Sequence, residues 1–225
     1  MTELNKQASL GLLKLIVAMA AVTFLPAWTL DYWQAWTLLA VFLACTLAID
    51  LYLVKNDPEL LERRLKAGPG SEQEKSQKII QALAMVAFIA IFILSALDYR
   101  FGWSEVPPYV SIFGDVLVAL GLYFVFLVFK ENTFTSAIIE IGDDQRVITT
   151  GPYALVRHPM YIGALVMLVG VPLALGSLWG LIAIVPMALV IVWRLLDEEK
   201  FLAANLAGYC EYQRKVRYHL LPMIW

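Results

Sequence analysis

Six apolar runs, at 10–30, 35–54, 79–97, 109–129, 160–177 and 178–196, occupy most of this 225-residue sequence. Each is bounded by charges or by Pro/Gly punctuation, and most approach the ~20 residues that a helix needs to cross a bilayer. Composition agrees: 60% of residues are hydrophobic and 16% charged, against ~45–50% and ~25% in soluble domains. The surplus apolar surface has to face lipid. The sequence therefore predicts an all-α, multi-span integral membrane protein with about six transmembrane helices, in one domain over 1–225. Disorder and collagen are excluded, and a net charge of −2 gives no general attraction to nucleic acid. Cys45 lies inside an apolar run and Cys210 near the C-terminus, so free thiols are expected rather than a disulfide framework.

The stretch Met160 to Leu196 is too long for one crossing and breaks at Gly176-Ser177, which reads as a hairpin. The first run resembles a signal peptide, with Lys6 and Lys14 before Ala18-Met19-Ala20, but too few apolar residues separate Lys14 from that site. It is expected to be a retained span. With six spans, 16 of the 17 Lys and Arg residues fall on one side of the membrane and only Arg100 on the other. By the positive-inside rule both termini are then cytoplasmic, and the expected location is a bacterial inner membrane.

In the loop 55–78, Asp57 before Pro58 predicts a helix N-terminus, and Gly68 a stop. Leu60, Leu61 and Leu65 form a stripe beside Arg63, Arg64 and Lys66, so an interfacial helix with its cations on lipid headgroups is expected. Asp50 and Asp115 read as boundary residues near the ends of their spans.

The chemistry concentrates in the C-terminal half. A segment begins Lys130-Glu131-Asn132-Thr133-Phe134 and ends in GPYALVRHPMYIG at 151–163. Pro159 suits the first position of a helix with His158 at its cap, so free amides and a positive dipole end are available to an anionic group. Gly151-Pro152-Tyr153 is a turn that brings a ring and Arg157 to the same rim. Further on, Arg194 and Glu198 share a helix face, while Glu199 falls on the stripe Leu195, Leu202, Leu206 and needs a partner there. Tyr209, Tyr212, Lys215, Arg217 and Pro222 form a polar, aromatic tail that folds back over the site.

Together, GPYALVRHPMYIG, Arg194, Glu198-Glu199, Tyr209 and Tyr212 resemble the isoprenylcysteine carboxyl methyltransferases and the related phospholipid methyltransferases, over roughly 128–225. The resemblance implies N-terminal spans over 1–129 and a catalytic helical module over 130–225 that binds S-adenosylmethionine between cytoplasmic helix ends. It implies that Tyr153, His158, Pro159, Tyr161, Glu198 and Glu199 match cofactor-site positions, and that Arg194, with Glu198, acts near the acceptor. The acceptor would be a lipophilic molecule or membrane lipid, carrying a carboxylate or an amine. The residues suit that chemistry: methyl transfer from a sulfonium needs alignment and a water-poor site, and no metal. Carboxylates Glu198 and Glu199 can hold an ammonium or ribose hydroxyls, and Arg194 an anionic head. Two other readings stay open. One is an NADPH-dependent membrane reductase of sterol-reductase type, for which few free cations are available. The other is a small transporter using Asp50 and Asp115, which leaves the residues at 151–161 and 194–199 unexplained.

Overall fold

Among the described residues, five helices are long and apolar enough to cross a membrane, and a sixth apolar helix is shorter. The computed structural model of the protein describes residues 3–66, 70, 72, 74–139 and 145–225. Among these, all regular structure is helical: α1 (Glu3–Ala27), α2 (Trp33–Asn56), α3 (Pro58–Leu65), α4 (Lys75–Phe101), α5 (Pro108–Glu131), α6 (Pro159–Ala174), α7 (Ile184–Asn205) and α8 (Tyr209–Lys215). Short 3₁₀ turns cover Gly151–Ala154 and Trp179–Ala183. The expected all-helical, multi-span architecture is present. Both cysteines are free.

The long helices alternate in direction, which gathers their ends into two sets. At one end, Arg64 of α3 donates to the Ser136 carbonyl, and Arg157 before α6 reaches Glu199 of α7. At the opposite end, Tyr32 donates to the Leu175 carbonyl and Tyr99 to that of Asp31. Arg100 lies at this second end, where it donates to the Pro26 carbonyl.

The fifth apolar run makes the short helix. α6 has 16 residues, about 24 Å at ~1.5 Å each, less than the ~30 Å of a hydrocarbon core. It compensates by close packing on α5. Gly114 and Gly121 of α5 face Gly163 and Gly170 of α6. A Cβ on Gly121 would stand 2.5 Å from the Met167 nitrogen and 2.6 Å from the Gly163 oxygen, and one on Gly170 would stand 2.7 Å from the Gly114 oxygen. Those are backbone atoms that cannot yield, so the pair is built on small residues. The hairpin turn falls where expected: α6 stops at Ala174, and Gly176 takes φ +68.

α3 starts as read, with the Leu60 amide on the Asp57 carboxylate at 3.0 Å and Leu60 and Leu61 buried. Gly68, the expected stop, lies outside the described residues. The headgroup reading of Arg63 and Arg64 is corrected. Arg63 donates to the Thr133 carbonyl at 2.5 Å, and Arg64 to that of Ser136 at 2.8 Å while its guanidinium lies 5.0 Å over the Phe129 ring. The loop carbonyls of Thr133 and Ser136 compete with headgroups for these cations and hold them inward. Asp115 is also more enclosed than a boundary residue, at 8% exposure.

Candidate active site

The site is assembled around Glu199, the carboxylate that the apolar stripe of α7 carries into the interior. Arg157 grips it with a fork: Nε lies 2.7 Å from Oε1 and Nη2 lies 3.2 Å from Oε2. His158 Nε2 lies 2.9 Å from Oε1, and the Gln213 amide donates to Oε2 at 3.3 Å. The side chains of Arg157 and Glu199 are only 7% and 9% exposed. A bidentate, enclosed pair of this kind is held far more firmly than a surface ion pair.

His158 occupies the cap position of α6 as read, but its side chain makes no cap hydrogen bond, because the ring is turned to Glu199. The first turn of α6 is therefore left without a side-chain cap.

The tail closes against the same cluster. The Arg157 and His158 amides donate to the Tyr218 and His219 carbonyls at 2.9 and 3.0 Å. Arg157 Nη1 adds the carbonyls of Val216 and Arg217. His219 brings Nδ1 to 3.1 Å from Glu199 Oε1 and Nε2 to 3.0 Å from Arg157 Nη2. Both histidines of the chain thus meet on one carboxylate. Burial pushes the His219 imidazole below its ordinary 6.5, against the opposing pull of Glu199. A neutral ring can donate to Glu199 and still accept from Arg157.

Beside this knot runs a second chain. Tyr161 donates to Glu198 Oε2 at 2.8 Å and accepts from Arg194 Nε at 3.1 Å. The rest of the Arg194 fork reaches Glu72 Oε1 at 3.0 Å, Gln77 Oε1 at 3.2 Å and the Ala137 carbonyl at 3.0 Å. Glu72 is 3% exposed, which leaves Arg194 as its charge partner.

A cleft opens between these elements. Tyr153, His158, Pro159, Tyr161 and Glu198, five residues singled out from the sequence, all line it. Arg157, Tyr209 and Tyr212 line it too, with an apolar side formed by Val147, Ile148, Leu202 and Leu206. Glu199 and Arg194 are not among the lining residues. They stand behind the wall, Glu199 holding His158 and Arg194 holding Tyr161.

Burial pushes the Tyr153 phenol up to about 12, with its Asn132 hydrogen bond acting the other way. Tyr209 and Tyr212 are raised by burial as well, so all three keep their protons. The cleft thus offers a carboxylate, a buried cation, phenolic donors and an apolar wall. No group of three or more His, Cys, Asp or Glu that could hold a metal occurs among the described residues.

Sequence reasoning missed Glu72, Gln77 and His219. Glu72 and Gln77 reach Arg194 across 122 and 117 positions, and no local pattern marks them. His219 had one usable signal, being the chain's only other histidine.

Comparison with known proteins finds a family match within this half of the molecule. Residues 109–207 match the phospholipid methyltransferase family. The matched segment runs from the start of α5 through α6 and α7, so it includes the glycine-packed pair and the Tyr161, Arg194, Glu198 and Glu199 side chains. The resemblance read from the sequence is borne out at the level of that family. A curated relative is the cobalt-zinc-cadmium resistance protein CzcN of Cupriavidus metallidurans, 28% identical over 132 residues. The match covers 56% of this chain and 57% of that protein's length.

Proposed function

We propose that the protein is a membrane-embedded methyltransferase that moves a methyl group from S-adenosylmethionine to a lipophilic acceptor. The observation that carries this reading is the cleft itself. Side chains that the resemblance assigns to the cofactor (Tyr153, His158, Pro159, Tyr161 and Glu198) converge on it from α6, α7 and the turn before α6, inside a segment matching a methyltransferase family.

The side chains suit the cofactor. Glu198 can accept hydrogen bonds from an ammonium or from ribose hydroxyls, and the uncapped start of α6 can face a carboxylate. S-adenosylmethionine supplies an electrophilic methyl on sulfur. The chain's own residues bind, orient and exclude water. Tyr153 and Tyr161 present rings to a cation, while Glu199 keeps Arg157 and His158 in place rather than touching the ligand.

Arg194 takes a revised part in this proposal. Its N–H groups are spent on Tyr161, Glu72, Gln77 and Ala137. It serves as a positioning residue, and it orients an anionic acceptor only by exchanging one of those partners. The acceptor enters from lipid, and the site faces the cytoplasm of a bacterium, a reading that the basic residues at this end support.

Titration of the detergent-solubilised protein with S-adenosylmethionine, and separately with NADPH, tests the reading. Saturable binding of the first alone is expected. Binding of NADPH alone moves the protein to the reductases, and binding of neither removes the cofactor site. Turnover with vesicle lipids bearing a carboxylate or an amine then separates the two acceptor chemistries.

A further inference from the structure

The tail carries an apolar surface that nothing in the chain covers. Leu221 is exposed, and Met223 and Ile224 are 81% and 78% exposed. Leu155, two residues before Arg157, is exposed as well. A contiguous apolar surface of this kind marks an interaction site, and its level in the bundle decides what it meets.

That level is fixed by the residues on either side of it. The pairing of the Arg157 and His158 amides with the Tyr218 and His219 carbonyls holds the tail against the residues just before α6. One residue on, Leu220 is 6% exposed and belongs to the buried apolar core that includes Tyr161, Ile191 and Leu195. The chain therefore dips at Leu220 toward the first turn of α6 and the apolar part of α7. It then folds on itself. The amides of His219, Leu220 and Leu221 donate to the Trp225 main-chain oxygen at 3.0, 3.1 and 3.1 Å, and the Trp225 ring stacks on that of His219 with centroids 4.6 Å apart. Residues 221–225 are thus a closed turn with its apolar side chains left uncovered.

α6 is short at this same end. A Cβ on Gly163 would stand 2.9 Å from the Gly121 oxygen and 3.1 Å from the Val125 nitrogen. Beyond that contact α5 continues to Glu131, whereas α6 begins at Pro159, four residues before Gly163. A helix of ~24 Å leaves about 6 Å of a ~30 Å hydrocarbon core unfilled. Such a deficit is met by thinning the bilayer or by apolar groups beyond the helix end, and the tail turn supplies those groups where α6 starts. Charge agrees. Arg214 and Arg217 precede the turn, both exposed and neither in an ion pair among the described residues. An apolar tip flanked by cations is the pattern of an interfacial anchor.

We propose that residues 221–225 insert among the acyl chains beside the start of α6, with Arg214 and Arg217 on anionic headgroups. The tail is then held over Arg157 and His158 by the bilayer as well as by Glu199. This holds whatever the cleft binds.

The test is spin labelling of the full-length protein in nanodiscs of phosphatidylcholine and phosphatidylglycerol. In a Cys45→Ala, Cys210→Ala background, single labels are placed by Met223→Cys, Ile224→Cys and, as the water-exposed reference, Lys215→Cys. Collisions with oxygen, which partitions into lipid, are expected to dominate at 223 and 224, and collisions with a water-soluble nickel chelate at 215. Nickel access at 223 and 224 equal to that at 215 overturns the proposal. Shielding from both reagents, with broadening between labels, also overturns it and assigns the surface to a second copy of the chain. Without a label, Met223→Asp with Ile224→Asp should speed proteolysis of the tail in vesicles about tenfold, since two apolar side chains no longer hold it in lipid. Cleavage at the wild-type rate contradicts the insertion.

Discussion

Each end of the helical bundle buries a carboxylate in a polar knot, and the two knots differ in what lies beside them. At the end away from the cleft, Asp98 is 1% exposed. It accepts from the Ser104 amide at 2.7 Å, the Ser104 hydroxyl at 2.7 Å, the Ser177 hydroxyl at 2.5 Å and the Trp179 amide at 3.3 Å. Tyr32 seals that end by donating to the Leu175 carbonyl at 2.6 Å and stacking on Tyr99. All of these partners belong to loops that must be held. At the other end Glu199 is comparably saturated, but its partner His158 lines an open cleft. Next to it stands Glu198, whose carboxylate accepts from Tyr161 alone among the described residues. A buried charge in a membrane protein is therefore no proof of a site. An open cleft beside the buried charge is the better mark.

That contrast can be broken by substitution. The largest effect is expected from Glu199→Ala. Removing the carboxylate leaves Arg157 and His158 enclosed without their counter-ion and releases His219 and Gln213, for about 3–5 kcal/mol of stability. Titration with denaturing detergent should show that loss, and cofactor affinity should fall with it. Asp98→Ala should cost about 3 kcal/mol by stranding the donors of Ser104, Ser177 and Trp179. Its folded fraction should bind S-adenosylmethionine like wild type. Equal damage to binding from both variants would erase the distinction between the two ends.

Glu198→Gln sharpens the comparison in the opposite sense. Its carboxylate faces the cleft and supports little of the fold, so melting temperature should hold. Cofactor affinity should fall about tenfold, or ~1.4 kcal/mol. The smallest effect is in pH. His219 has its folded pKa depressed below the ordinary 6.5, so the stability it contributes is present above 6.5 and lost as pH falls through the folded value. Protonation turns Nε2 into a donor against Arg157. Proteolysis of the tail after 215 should accelerate on acidification below pH ~6.5 in wild type, and Glu199→Gln, which removes the charge that opposes the shift, should deepen that dependence.

How much of this was legible in the sequence follows from the range of the interactions. Apolar runs and their punctuation are local, so the spans, the Gly176 turn and the Asp57-Pro58 helix start could be read directly. Glu199 was legible as a carboxylate in need of a partner because α7 carries a 3.6-residue pattern through it. Which partner was not, since Arg157 and His219 are brought in by the preceding loop and by the returning tail. Arg63 and Arg64 misled for the same reason. A cation on an amphipathic helix looks the same whether it meets a headgroup or a loop carbonyl 70 residues away. Asp98 gave no signal, because a carboxylate at the end of a span resembles an ordinary boundary residue. The short α6 and its glycine contacts with α5 also need both helices in view.

The central claim is that the ligand binds at the Glu198–Tyr209 cleft and not at the Asp98 knot. Hydrogen exchange of the solubilised protein, with and without saturating S-adenosylhomocysteine, tests it most directly. The account predicts added protection in peptides covering 147–161 and 198–212, with none in those covering 95–107 and 175–181. Protection confined to the second set, or absent from the first at saturation, would contradict it.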